Sequence, residues 1–278
     1  MSAQREQGLR IEKRADLCFR RTPQRDLGLD LYLPVPLPSR PQPLIVWIHG
    51  GAWMGGDKDP CPFWHFAGEG FVVASISYRL SHEAIFPAQL EDCKAAIRWL
   101  RAHAGEYGIH PERIGVVGHS AGGHLAALVG VTGWTRQFDR GEHLEESSAV
   151  QAVCDMAGPT DFLQNDAHTF GPLADLPDSP WSLLIGGRIS EHPDRVAQAN
   201  PITYIRSECP PFLVIHGERD EIVPFHQSVL LVEALKGSGV PVEFLAFPEA
   251  DHSLNIPGLD RKVLEFFRRE LNQGAEEP

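Results

Sequence analysis

Long apolar runs are missing from this chain of 278 residues. None approaches the roughly 20 residues that cross a bilayer as a helix, so no membrane span is expected. Basic residues are also few. The 25 Lys and Arg stand against 37 Asp and Glu, for a formal net charge of −12. A nucleic-acid or anionic-membrane partner would want a basic stripe, and this balance argues against both. The five cysteines, Cys18, Cys61, Cys93, Cys154 and Cys209, are odd in number and scattered. They form no C-x-x-C or Cys/His pattern of a zinc site, so no metal is expected and free thiols in a reducing compartment are. The polar start "MSAQREQGLRIEKRADLCFR" has no apolar segment that would direct secretion. A cytoplasmic protein is the expectation. Nucleotide-phosphate signatures are lacking too. No G-x-G-x-x-G occurs, and "GGAWMGG" has neither the lysine nor the Ser/Thr of a phosphate loop.

What is present is an alternation of short apolar runs with helical patterns. "LRIEKRADLCF" and "LGLDLYLP" read as a strand pair, followed by the stiff, proline-rich "PVPLPSRPQP". "LIVWIHG", "FVVASISY", "RIGVVGH", "AVQAVCDMAG", "PFLVIHGERD" and "VEFLAFP" then supply six more runs. Continuous apolar runs of this length fit parallel strands covered on both faces. Between them lie helical patterns at "PAQLEDCKAAIRWLRAHA", "SAGGHLAALVG" and "PFHQSVLLVEALKGSG", with "RKVLEFFRREL" closing the chain. This order predicts an α/β fold with helices on both faces of the sheet, in a single domain over 1–278. The irregular, proline-rich stretch from about 134 to 202 reads as a loop and small-helix excursion, a partial cap.

The segment "IGVVGHSAGGHLAALV" places Ser120 between Gly118 and Gly122, where a strand becomes a helix. Parallel sheets bind ligands at the carboxyl ends of their strands. A Gly-x-Ser-x-Gly turn there is a nucleophile elbow, which pushes the hydroxyl out over a helix N-terminus that favours developing negative charge. A serine hydroxyl needs a base to take its proton, and the base needs an acid to orient it. The expected chain order is Ser, Asp or Glu, His. Asp220 follows the fifth of these apolar runs after the strand pair's linker, and His252 follows the sixth. Asp220 is favoured over Glu218, Asp155 and Asp161, and His252 over His119, His124, His216 and His226. His119 and His124 sit too close to the nucleophile in sequence. His216 lies within a strand, as a packed or hydrogen-bonded residue, and His226 begins a helix. Asp251 reads as a solvated charge.

A second signal is "HGGAWMGGDK", after the apolar run "LIVWI". Acyl transfer needs two or three bare N–H groups aimed at an oxyanion. Gly51, Ala52 and Ala121 are assigned that task, with Gly50 shaping the turn. Among the aromatics, Trp53, Phe86 and Trp181 are candidate walls of an apolar substrate pocket, with Trp134 and Phe170 as further loop aromatics. Packing in the core is the competing role for each of them.

Together "HGGAWMGGDK", "GHSAGGHLAAL", "DMAGPTDF", "SPWSLLIGG", "ANPITYI" and "HGERDEIVP" resemble the serine esterases of the α/β-hydrolase superfamily. The likeness is to bacterial carboxylesterases grouped with feruloyl and acetyl-xylan esterases, and more distantly to hormone-sensitive-lipase-like enzymes. That resemblance implies an eight-stranded, mostly parallel sheet, no metal or organic cofactor, and ester hydrolysis through an acyl-enzyme. Ser120, Asp220 and His252 match the family's triad positions. Ala52 stands where many lipase-like relatives have a third glycine. The expected partner is a small-molecule ester of a short or aromatic acid; the sequence assigns no oligomeric state. Kynurenine formamidases share the His-Gly-Gly-x-Trp pattern, so an arylformamidase or other amide hydrolase is the first alternative. A non-catalytic ligand-binding protein on the same fold is the second.

Overall fold

A computed structural model describes residues 10–164 and 174–272 of the chain. Eight strands form one sheet in the order β1-β2-β4-β3-β5-β6-β7-β8. They are β1 (Arg10–Arg21), β2 (Asp26–Val35), β3 (Gln42–Ile48), β4 (Val72–Ile76), β5 (Ile109–His119), β6 (Ala152–Met156), β7 (Phe212–Gly217) and β8 (Val242–Phe247). The β1/β2 and β2/β4 pairs are antiparallel, and every later pair is parallel. Each of the eight apolar runs therefore became a strand, and the first two pair as a meander.

Why the central strands show no alternation is visible in the two cores. Successive side chains of a strand point to opposite faces. In β3, Leu44, Val46 and Ile48 join one core with Leu90, Leu125 and Leu231. Ile45 and Trp47 join the other with Phe66, Val263 and Phe267. The first face is covered by α1 (Ala88–Ala102), α3 (Ala121–Val131) and α6 (Phe225–Gly237), and the second by α7 (Leu259–Leu271) and a 3₁₀ turn at Trp64–Glu69. Both faces are apolar because both are covered. The edge strand β8 is only half-buried.

The helix α1 departs from a simple amphipathic pattern. Its Asp92, Lys94, Arg98 and Arg101 are all buried. Burying cations is costly unless they are bonded, and these are. Lys94 Nζ donates to the carbonyls of Thr132 at 2.9 Å and Thr135 at 3.1 Å. Arg101 donates to the carbonyls of Pro111 and Ala149, each at 2.9 Å. Lys94 and Arg98 flank Asp139 at 3.4 and 3.3 Å. Burial pushes the Lys94 amine down to about 8 despite the pull of Asp139. The row thus fastens the irregular chain after α3 to the sheet.

The stretch from 134 to 202 is not one uninterrupted excursion, because β6 passes through it as a central strand. A short helix follows α1 at α2 (Ala104–Tyr107), and two more follow β6: α4 (Pro180–Ile185) and α5 (Pro193–Ala199). Among the described residues, 3₁₀ turns at Phe162–Gln164, Ile189–Glu191 and Pro201–Tyr204 accompany them. Phe170 lies outside the described residues. Among the described residues, no helix is long and apolar enough to cross a membrane.

Candidate active site

The site is assembled at the carboxyl ends of β3, β5 and β7 and in the loop after β8. Ser120 follows β5 with φ 57° and ψ −122°. A non-glycine residue held there costs on the order of 1–3 kcal/mol, so its surroundings must impose it. They do so by close packing: a Cβ at Gly118 would overlap the Gly122 carbonyl, and one at Gly122 would overlap the Ile48 carbonyl. The Ser120 N–H donates to the Met156 carbonyl at 2.8 Å, and its own carbonyl accepts from His124 at 3.1 Å. The elbow is therefore tied to β6 on one side and opens α3 on the other.

The glycine-rich loop after β3 is a tight turn. The Gly51 carbonyl accepts from the N–H groups of Met54 and Gly55, both at 3.0 Å. Ala52 and Trp53 have φ of 55° and 56°, so this turn too holds non-glycine residues in the left-handed region. Its supports are polar. Tyr78 Oη donates to the His49 carbonyl at 3.0 Å, His49 Nδ1 donates to the Gly50 carbonyl at 2.7 Å, and Ser81 donates to the Trp53 carbonyl at 2.8 Å. The His49 ring stacks on Tyr78 at 4.3 Å between centroids. The N–H groups of Ala52 and Ala121 take part in none of the turn and cap bonds around them. Ala52, Ala121 and Ser120 border the same pocket of about 150 Å³.

Asp220 follows β7 with its side chain fully buried. Its carboxyl accepts four N–H groups. Oδ1 takes the backbone N–H of Ile222 and of Val223, both at 2.8 Å. Oδ2 takes His252 Nδ1 at 2.7 Å and His216 Nε2 at 3.0 Å. Burial alone would push this carboxyl up, but the bonds from His216, His252 and Val223 outweigh it and hold Asp220 well below the usual carboxylate range. An ionised carboxylate has only acceptors to offer, so His252 Nδ1 carries a proton, and in the neutral imidazole Nε2 is the nitrogen with the lone pair.

Among the described residues no hydrogen bond joins Ser120 Oγ to the His252 imidazole. The two are linked through the neighbour of Ser120: His119 Nε2 donates to the His252 carbonyl at 2.8 Å, and the rings of His119 and His252 lie 4.8 Å apart. Bonds between nucleophile and base are commonly loose before substrate binds and tighten in the complex.

The competing acids are otherwise engaged. Asp155 is buried, accepts from the Gly158 N–H at 2.9 Å, and is pushed up to about 6 by that burial. Asp161 accepts from the Leu163 N–H at 2.9 Å, Glu218 is exposed, and the exposed Asp251 accepts from Ser253. Among the described residues no group of three or more His, Cys, Asp or Glu is placed to hold a metal ion.

Two of the three candidate aromatic walls border the pocket: Trp53 from the glycine-rich loop and Trp181 from α4. Phe86 does not. It is buried in the core with its ring 6.4 Å from that of Phe138, and its N–H donates to the Leu184 carbonyl at 2.8 Å. A loop position suggested access; packing took the ring inward. Trp134 is likewise elsewhere, with the Arg206 guanidinium 3.4 Å above its ring. His216, expected as a packed or hydrogen-bonded strand residue, is both, and its bonding partner is Asp220 itself. The available signal was the spacing His216 to Asp220, four residues across a strand end.

The BD-FAE family model matches residues 29–235. The Mycobacterium tuberculosis protein "Esterase LipC" is 32% identical over 232 residues, which cover 82% of this chain and 57% of that protein. The chain thus spans little more than half the length of that curated relative. Among solved structures, a truncated form of a carbohydrate esterase from gut microbiota superposes with a TM-score of 0.82 at 30% identity, covering 96% of this chain and 99% of that one. A butyrate-bound esterase, Est2 of Thermogutta terrifontis, superposes with a TM-score of 0.75 at 28% identity, covering 98% and 97%. Sheet order, elbow and family match agree, and the chain belongs to the BD-FAE family of the α/β-hydrolase superfamily.

Proposed function

We propose that this chain is a carboxylesterase that cleaves esters of short or aromatic acids through an acyl-enzyme on Ser120. The observation that carries the proposal is the Asp220–His252 contact of 2.7 Å, on a carboxylate saturated by four N–H donors, beside a serine in a strained elbow. Asp220 fixes the imidazole so that Nε2 faces the nucleophile's proton. Ser120 Oγ attacks the ester carbonyl as Nε2 takes that proton. The negative oxygen of the tetrahedral intermediate is met by the N–H groups of Gly51, Ala52 and Ala121, with Gly50 shaping the turn. One such donor is typically worth about 3 kcal/mol of barrier. His252 then protonates the departing alcohol. Water, activated by the same nitrogen, attacks the acyl-enzyme and releases the acid.

The small volume of the pocket beside Ser120, about 150 Å³, favours short acyl groups, and its Trp53 and Trp181 walls suit a flat ring. The Est2 relative is solved with butyrate bound, which is consistent with that size. The test uses this chain alone, on p-nitrophenyl acetate, butyrate and laurate, a feruloyl ester and N-formylkynurenine. Short or aromatic esters should be cleaved, laurate far more slowly, and Ser120→Ala should lose both turnover and labelling by a fluorophosphonate. Preferred cleavage of N-formylkynurenine would replace the reading with an amide hydrolase. Labelling or turnover that survives in Ser120→Ala would remove Ser120 from the chemistry.

A further inference from the structure

His216 is buried to 0% exposure, and every polar atom of its ring is bonded. Nε2 lies 3.0 Å from Asp220 Oδ2 and 2.9 Å from the Val223 carbonyl. Both are acceptors, since the Asp220 carboxyl is ionised, so Nε2 must carry a proton. Nδ1 lies 2.6 Å from the hydroxyl of Ser228, which is itself fully buried in α6. In the neutral ring the hydroxyl donates to Nδ1, so the imidazole is held from both ends. The Phe225 ring packs edge-on against it at 5.6 Å.

The consequence lies at Oδ2. Two histidines donate to that one oxygen, His252 at 2.7 Å and His216 at 3.0 Å. A carboxylate oxygen that already accepts one N–H is a weaker acceptor for the next. We infer that His216 is a positioning residue for the reaction, which holds the Asp220 carboxylate in place and limits how strongly it can bind the His252 proton. No proton moves along this chain; His216 keeps its own throughout. The inference rests on the proposed esterase reading for its kinetic consequences, though not for its spectroscopic ones. Other titratable groups near His216 are Asp155 on β6 and His119 at the end of β5, and both are left intact in the variants below.

The variants are His216→Phe, which keeps a ring against Phe225, and His216→Gln, which restores a side-chain N–H donor. Proton NMR of the His252 Nδ1–H reads the contact without substrate. In His216→Phe that resonance should move downfield. The acid limb of kcat/KM on p-nitrophenyl acetate should rise by about half to one pH unit, since a carboxylate with one donor fewer favours the protonated imidazole more. KM should change less than about two-fold while kcat falls about ten-fold, as expected for an orienting rather than a binding role. His216→Gln should recover most of both shifts. An unmoved resonance and acid limb in a folded His216→Phe would overturn the inference. Should that variant not fold, ¹⁵N-histidine spectra of the wild-type protein decide: Nε2–H and a bare Nδ1 at His216 support it, and the opposite tautomer overturns it. A protein that cleaves no ester but shows the resonance shift would refute the proposed function and leave His216's role standing.

Discussion

His119 Nε2 donates to the backbone carbonyl of His252 across 2.8 Å, joining the residue before Ser120 to the residue proposed as its base. The loop holding the base is therefore fastened at two points, by its imidazole to Asp220 and by its carbonyl to the elbow. His119→Phe keeps the ring's bulk and removes the donor. We expect kcat and the rate of fluorophosphonate labelling to fall together, by up to roughly a hundred-fold, for a misplacement of about an ångström. The melting temperature should move by only a few degrees, since one hydrogen bond contributes about 1 kcal/mol. Labelling at the wild-type rate would show that the Asp220 contact alone places the imidazole.

The backbone strain at Ser120 can be measured. Its φ of 57° and ψ of −122° are accessible to glycine without penalty. Ser120→Gly and Ser120→Ala should both be inactive, yet differ in stability. The glycine variant should be more stable than the alanine variant by about 1 kcal/mol, the relief of strain less the entropy that glycine adds to the unfolded chain. Urea unfolding of the two proteins checks this; a glycine variant less stable than the alanine variant, by the entropy cost alone, would mean that the elbow stores no strain.

The elbow also depends on what its glycines lack. A Cβ at Gly122 would strike the Ile48 carbonyl, which is backbone of a central strand and cannot swing aside. Gly122→Ala should cost about 3 kcal/mol or more, in the range of overpacked sites, and reduce soluble yield. Gly105 has open space around its ideal Cβ, and Gly105→Ala in the same assay should be close to neutral. Similar losses in both variants would contradict the steric account.

His124 gives the fold an acid sensitivity. Its ring is fully buried, and burial pushes its pKa from 6.5 down to about 4. Between those values the unfolded chain binds a proton that the folded chain refuses, so stability falls as pH drops through that window, by up to about 3 kcal/mol. Asp155 acts in the opposite sense. Burial raises it from 3.8 to about 6, so the folded form holds its proton there and gains stability as pH falls from 6. The difference between wild type and His124→Leu isolates the histidine. The variant should be less stable at pH 7 but lose less between pH 7 and pH 5. Parallel losses in the two proteins would show that the folded state accommodates a charged His124.

Sheet and elbow were legible because they rest on local signals. Apolar runs such as Leu44–Ile48 mark buried strands, and Gly118 and Gly122 mark a turn with no room for side chains. His252 and Asp220 were nominated because an activated serine needs a base and an acid at strand ends, and the structure brings the two side chains to 2.7 Å. The buried cations of α1 were not found. Lys94, Arg98 and Arg101 look like a solvated face in sequence, and only the carbonyls of a distant irregular segment make their burial tolerable. Phe86 was misplaced for a related reason, since nothing local distinguishes a ring lining a pocket from one filling a core. His216 fell between these cases: its burial was read correctly, but its second acceptor comes from a loop whose path is set by tertiary packing.

The loop 221–223 does two separate jobs with separate atoms. Its backbone N–H groups at Ile222 and Val223 hold Asp220, while the side chains of Glu221, Ile222 and Val223 border the pocket. Peptide N–H groups are the same for nearly every residue type. Side chains at 221 and 222 can therefore be exchanged, which reshapes the pocket wall, while the backbone donors to Asp220 stay in place. Proline is the exception at 222, because it would delete a donor along with the side chain. The wall of the pocket is thus separable, atom by atom, from the bonds that hold the buried carboxylate.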